Sequence, residues 1–167
     1  MRYYVQMLDE AISKLEAEVA ALNHELNFTI PETLEKAIAN GDLKENGDYH
    51  AALERQGFVS ARLSQLRGRL VKLSQIDTSK IPSDCVGLGS KVEVKDLDTG
   101  DKETFELVIP DSMNLDLGHV SVASPLGSAL VNKKPGDETE VRLPFGTRRL
   151  KVLSLKTLHD TAAEGLG

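Results

Sequence analysis

Three carboxylates fall within seven residues: Asp42, Glu45 and Asp48 stand in a polar stretch with Asn40, Gly41, Lys44, Asn46 and Gly47. Hard oxygen ligands of this kind suit Mg²⁺, which takes one or two protein carboxylates and fills its other positions from elsewhere. Such an ion would serve two-metal phosphoryl chemistry, in which a second cation polarises the attacking water. The same residues also have an ordinary reading. Asp42-Leu43-Lys44-Glu45 has the form of a capping box, with Asp42 accepting at a helix start and Glu45 reaching back, and acids in a first helical turn are favoured by the helix dipole. Gly41 reads as a C-cap and Asn46-Gly47 as a turn. Spacing alone leaves capping and metal chemistry both open.

Elsewhere the chain is poor in catalytic constellations. His24, His50, His119 and His159 are scattered without ligand spacing. No P-loop, GxGxxG, GxSxG or HExxH pattern occurs. The single cysteine, Cys85, cannot form an internal disulfide or a paired-cysteine metal site. It reads as a small buried core residue in a protein of the reducing cytoplasm. No apolar window of about 18 residues is present to span a membrane, and Asp9 and Glu10 interrupt any signal-peptide core. With 20 Lys+Arg against 26 Asp+Glu the net charge is −6, which argues against independent binding to a long stretch of nucleic acid.

The elements that must carry the acidic stretch are two long helices. Leu8, Ile12, Leu15, Val19, Leu22 and Leu26 alternate steps of four and three, the rhythm of a coiled-coil seam. Tyr49, Ala52, Gln56, Val59, Leu63, Leu66, Leu70 and Leu73 repeat it. A short polar connection between two such runs predicts an antiparallel helical hairpin over residues 1–76, with the tip at 41–48 and arms of about 50 Å. Pro31, with Thr29 and Glu32 in capping-box positions, predicts a kink or restart in the first arm. Beyond it the seam continues through Ile30, Leu34 and Ala37 or Ile38, about one residue out of phase. The arms differ in sign: residues 1–40 carry seven acids and three bases, whereas 49–76 carry five bases and one acid. Arg55 and Arg62 in that basic run, with Lys44 at the tip, are candidates to face RNA; the alternative is a solvated face that neutralises the opposite arm.

After a linker at 77–85 the apolar period shifts to two. Val92 and Val94, then Phe105 to Ile109, Val120 and Val122, Val141 and Leu143, and Leu150 and Val152 predict strands of an antiparallel β domain over 86–159. Asp98-Thr99-Gly100, Pro135-Gly136-Asp137 and Pro144-Phe145-Gly146 supply turns. Ser124-Pro125 opens a short helix through Val131. Residues 160–167 read as a frayed tail. The fold class is α+β.

The run Gly41-Asp42-Leu43-Lys44-Glu45-Asn46-Gly47-Asp48-Tyr49-His50-Ala51-Ala52 resembles the tip signature of the bacterial Gre family of transcript cleavage factors. Ser124-Pro125-Leu126-Gly127-Ser128-Ala129-Leu130, followed by Lys134-Pro135-Gly136-Asp137, resembles that family's second signature. The two matches lie far apart, in the family's order, and span nearly the whole chain. The resemblance implies an FKBP-like β domain behind the coiled coil. It implies docking of that domain at the rim of the secondary channel of RNA polymerase, with the coiled coil reaching inside. There Asp42 and Glu45 would share a Mg²⁺ with the polymerase beside the nascent RNA 3′ end. Asn46, Asp48 and Tyr49 would support the tip, and the chain would be a catalytic accessory, monomeric in function, rather than an enzyme. The chain departs from the family at three places: Gly47-Asp48 stands for Ala-Glu, Ile38 for an Arg, and Leu26-Asn27-Phe28 for an Arg-Pro region.

Two other functions compete. A Gre homologue can occupy the channel and regulate or inhibit without cleaving; the intact Asp42–Glu45 spacing favours cleavage. An FKBP-like fold also suggests a prolyl isomerase, but fold does not carry function, and Phe105 and Phe145 are the sole aromatics beyond residue 77.

Overall fold

The computed structural model describes residues 2–164. The chain divides into two compact units, Asp9–Ile76 and Met1–Leu8 with Asp77–Gly167. Helix α1 (Arg2–His24) enters both. Among the described residues no helix is long and apolar enough to cross a membrane.

The helical unit contains most of α1, then α2 (Ile30–Ala39) and α3 (Gly47–Ser74). The predicted seam is the packed one: Ile30, Val59 and Leu63 are buried together, with Val19, Leu22, Leu26 and Leu34 against them. Ala37 continues it, at 3% exposed, and Ile38 points outward at 53%. The phase shift before Pro31 has a physical cause. Residues Glu25–Thr29 form a π turn, closed by Ile30 N–H on the Glu25 carbonyl. A π turn inserts one residue into the helical count, which is the displacement the seam needs between Leu26 and Ile30. The expected capping box is absent, because Thr29 is helical and its side chain caps nothing. Instead Thr33 Oγ1 donates to the Thr29 carbonyl at 2.8 Å, and the chain passes Pro31 without restarting.

The other unit is a five-stranded sheet in the order β3-β2-β1-β5-β4. Its strands are β1 (Lys91–Asp96), β2 (Lys102–Val108), β3 (His119–Ser121), β4 (Glu138–Leu143) and β5 (Gly146–Lys156). One pair departs from the antiparallel expectation: β3 runs parallel to β2. The connection 109–118, through turns at Pro110–Ser112 and Leu115–Leu117, carries the chain back before β3 begins. Alternation is as read on β1, β2, β4 and β5, whereas on β3 His119 and Ser121 are the buried positions and Val120 is half-buried. Val92 and Val94 on β1, Leu107 on β2, Val141 on β4, and Leu150 and Val152 on β5 bury one face with Val86 and Leu130. Leu130 ends helix α4 (Pro125–Leu130), whose N-cap Ser124 accepts the Gly127 N–H at 3.1 Å. A smaller cluster joins Tyr4, Ile81 and Leu158. Leu158 begins helix α5 (Leu158–Glu164), so residues 160–164 are helical rather than frayed. Residues 165–167 lie outside the described residues. Cys85 is half-buried rather than a core residue. The Asp96 carboxylate accepts the N–H groups of Thr99 (3.1 Å) and Asp98 (2.9 Å) and the Arg148 guanidinium (3.0 Å), which hold its carboxyl below the usual range.

The opposite face of the sheet holds an electrostatic conflict. Lys95 lies directly across from Lys102 on β2 and from Lys151 on β5. Like charges in opposed positions weaken a sheet. Lys95→Glu is expected to stabilise this unit by about 1 kcal/mol at low ionic strength. The gain should shrink as salt screens the pairs, which thermal unfolding at low and high salt measures.

Candidate functional site: the acidic tip

The tip is the connection from α2 to α3, and one asparagine fastens it. Asn40 closes α2 by donating its N–H to the Ala37 carbonyl at 3.1 Å. Gly41 then turns the chain with φ +141°, in the region that favours glycine. Helix α3 starts at Gly47, and its N-cap is Asn46, whose Oδ1 accepts the Tyr49 N–H at 3.1 Å. The Asn46 amide also donates from Nδ2 to the Ala37 carbonyl at 2.6 Å. One side chain therefore satisfies the start of α3 and ties it to the end of α2. Asn46→Ala is expected to cost about 1–2 kcal/mol in the helical unit. Asn46→Asp, which retains the cap acceptor and loses the donor, should cost about half as much, read from thermal unfolding followed by helical circular dichroism.

This arrangement overturns both ordinary readings of the tip. Asp42 and Glu45 are not caps of α3, and Asn46-Gly47 is a helix start rather than a hairpin turn. Asp42 Oδ1 accepts the Lys44 N–H at 3.0 Å, a local loop bond. The exposed Glu45 and Asp48 carboxylates make no hydrogen bond or ion pair among the described residues, and neither does the Lys44 ammonium. Asp42, Glu45 and Asp48 line one shallow depression of about 410 Å³ with Asn40, Gly41, Asn46 and Gly47. They do not converge into a self-sufficient centre: among the described residues no group of three or more His, Cys, Asp or Glu is placed to hold a metal. Two accessible carboxylates suit a partial ligand set.

The two arginines proposed to face RNA are engaged elsewhere. Arg55 donates to both carboxylate oxygens of Glu25, at 2.6 and 2.9 Å, and Arg62 to both of Glu18, at 2.8 and 3.3 Å. These hydrogen bonds hold the Glu25 carboxyl below its usual range and push the arginines up. Seven residues separate each member of one pair from its counterpart in the other, so the pairs repeat once per heptad across the two arms. Arg55 also stands 5.2 Å from the centre of the exposed Phe58 ring. The arginines act first as inter-arm ties, and Lys44 alone of the three candidate bases is left without a partner.

A residue the spacing did not single out completes the tip. His50, in the first turn of α3, places Nε2 3.2 Å from the Lys44 carbonyl oxygen, and its ring meets Tyr49 edge-on at 5.7 Å. The histidine appears in the tip motif, but its reach back across six residues has no periodic signature.

In the β unit Phe145 is 87% exposed in the β4–β5 turn and Phe105 packs against the core. Two depressions among the described residues of this sheet are lined by Lys91, Glu93, Thr104, Ser154 and Lys156 and, separately, by Leu97, Glu138, Thr139, Glu140 and Arg149. Neither has an aromatic wall.

Comparison with known proteins identifies the family. A family model described as "Transcription elongation factor, N-terminal" matches residues 5–74, and one described as "Transcription elongation factor, GreA/GreB, C-term" matches residues 81–157. Transcription elongation factor GreA of Hyphomonas neptunium is 36% identical over 151 residues, covering 90% of this chain and 96% of its own. That of Clostridium kluyveri is 36% identical over 156 residues, covering 93% and 98%. Among solved structures, GreA factor homolog 1 of Thermus thermophilus is 25% identical with a TM-score of 0.40, covering 89% of this chain and 94% of that one. The chain belongs to the GreA/GreB family of transcription elongation factors.

Proposed function

We propose that this protein enters the secondary channel of RNA polymerase in the cytoplasm and stimulates the polymerase's own cleavage of backtracked nascent RNA, so that elongation resumes. The observation that carries this reading is the pair of carboxylates, Asp42 and Glu45, presented at the hairpin tip without any capping duty. They are the residues that would hold a Mg²⁺ together with ligands of the polymerase. Bound there, such an ion would supply Lewis-acid polarisation of a water for hydrolysis of the RNA phosphodiester.

The chain's own work is positional. The π turn keeps one apolar seam continuous along the first arm, the Glu25–Arg55 and Glu18–Arg62 pairs tie the arms together, and Asn46 closes the tip. These ties hold the two carboxylates on a regular helical scaffold, where a loose loop would leave a ligand pair misplaced. Asp48 lines the same depression and adds negative charge. Lys44 stands beside the acids, free to approach RNA phosphate. The β unit would dock at the channel rim, and the protein would act as a monomer. It is an accessory that lends ligands to another enzyme.

The test uses stalled, backtracked elongation complexes with Mg²⁺ and resolves the RNA. Release of 3′-terminal fragments on adding the protein, followed by renewed extension, is the expected result. A protein that binds the polymerase and slows extension without releasing RNA would overturn the cleavage function.

A further inference from the structure

We propose that His50 is a positioning residue for the acidic tip, locking the Asp42–Glu45 loop by donating its Nε2–H to the Lys44 carbonyl; this rests on the function proposed above. Lys44 lies between the two acids, and its backbone is held on both sides. Its N–H donates to Asp42 Oδ1 at 3.0 Å, and its carbonyl oxygen lies 3.2 Å from His50 Nε2. The first bond sets the Asp42 carboxylate against residue 44. The second fixes the Lys44–Glu45 peptide plane, and with it the point from which the Glu45 side chain departs.

The loop needs such a tie. It runs between Gly41, with φ +141°, and Gly47, whose positions have no neighbour within 4 Å of an added Cβ. Gly41 leaves that end of the loop free to swing, whereas Gly47 is already held in the first turn of α3. His50 is itself well anchored, because its N–H donates to the Asn46 carbonyl at 3.1 Å within α3 and its ring rests edge-on against Tyr49. The chemistry also chooses the proton: a carbonyl only accepts, so the ring must carry hydrogen on Nε2. Asn46 and His50 thus divide the labour. Asn46 joins the helix ends, and His50 holds the loop that carries the carboxylates.

Two measurements test this. In the free protein, ring ¹⁵N spectra should report the Nε2–H tautomer of His50. Exchange of the Lys44 amide should accelerate about threefold to tenfold in His50→Ala, the loss expected of one exposed hydrogen bond. His50→Gln, whose amide nitrogen reaches the same point, should restore protection. In the cleavage assay, His50→Ala should raise the Mg²⁺ concentration for half-maximal rate by a similar factor while the maximal rate and polymerase affinity stay unchanged, and His50→Gln should recover the wild-type value. A change in maximal rate without a change in Mg²⁺ dependence, or a Gln variant as impaired as the Ala variant, overturns the role. If the wild type releases no RNA, the tip's function fails, and the tautomer and amide exchange still decide whether His50 locks the loop.

Discussion

Asp42→Asn and Glu45→Gln are each expected to reduce cleavage of backtracked RNA by about 100-fold or more, with binding to polymerase retained. The magnitude follows from the part these groups play. A neutral amide is a poor ligand for a hard divalent cation, and outer-shell changes alone cost about 10–100-fold at metal sites. Raising Mg²⁺ should recover part of the rate in each single variant and little in the double variant. Folding should be nearly untouched, because exposed substitutions away from special contacts stay within about 0.5 kcal/mol. Asn at position 42 still offers an oxygen to the Lys44 N–H, and the Glu45 carboxylate has no bond to lose. This separation is what the geometry adds. Had Asp42 and Glu45 formed the capping box that their spacing suggests, loss of activity could be blamed on a frayed helix. Asn46 caps α3 instead, so a folded, polymerase-bound and inactive variant isolates the ligand role. Wild-type cleavage by the double variant would remove the acids from the chemistry.

The fold was legible where one physical rule governed a long segment. Seam positions with steps of four and three identified both arms, down to the one-residue slip before Pro31, because burial of an apolar stripe tolerates no other phase. Alternation located the strands for the same reason. The slip itself could be read, but not its form, since a π turn and a restarted helix displace the seam alike and only backbone bonding separates them. The parallel β2–β3 pair was hidden because strand direction depends on the path of the connection 109–118, not on alternation. At the tip, Asp42 and Asn46 are both strong N-cap residues. Their competition is settled by the Asn46 amide, which can donate to the Ala37 carbonyl while its oxygen caps; a carboxylate at that place could not. Arg55 and Arg62 looked like a surface for RNA because charge was counted along one arm. Their partners Glu25 and Glu18 lie 30 and 44 residues away, on the other.

Gly127→Ala is expected to destabilise the β unit by about 2–4 kcal/mol, enough to compromise a marginally stable domain. Nothing in its position along α4 requires glycine: the residue is helical, and in an open helix Ala would be better than Gly by about 1 kcal/mol. The obstacle is the preceding strand. A Cβ on Gly127 would run into the Ser121 carbonyl group and lie 3.0 Å from the Val122 Cα, all backbone atoms with no freedom to step aside. The Ser121 oxygen is already committed, accepting the Ser124 N–H at 3.0 Å and the Ser124 hydroxyl at 2.7 Å, so it cannot rotate away without undoing the cap of α4. Relief would come from lifting α4 off the sheet, which withdraws the fully buried Leu130 from its contacts with the core. Loss of packing at a side chain of that size costs about 2–5 kcal/mol when complete. The steric term therefore outweighs helix propensity and sets the sign. Gly68→Ala supplies the contrast. Gly68 lies inside α3 with nothing within 4 Å of its added Cβ, so the same exchange should stabilise the helical unit by about 0.5–1 kcal/mol. Thermal unfolding of both variants, followed by amide exchange at Val94 and Val152 for the β unit and at Val59 and Leu63 for the helical unit, reads the two effects separately. Equal signs would show that the close approach of Gly127 to Ser121 relaxes at little cost.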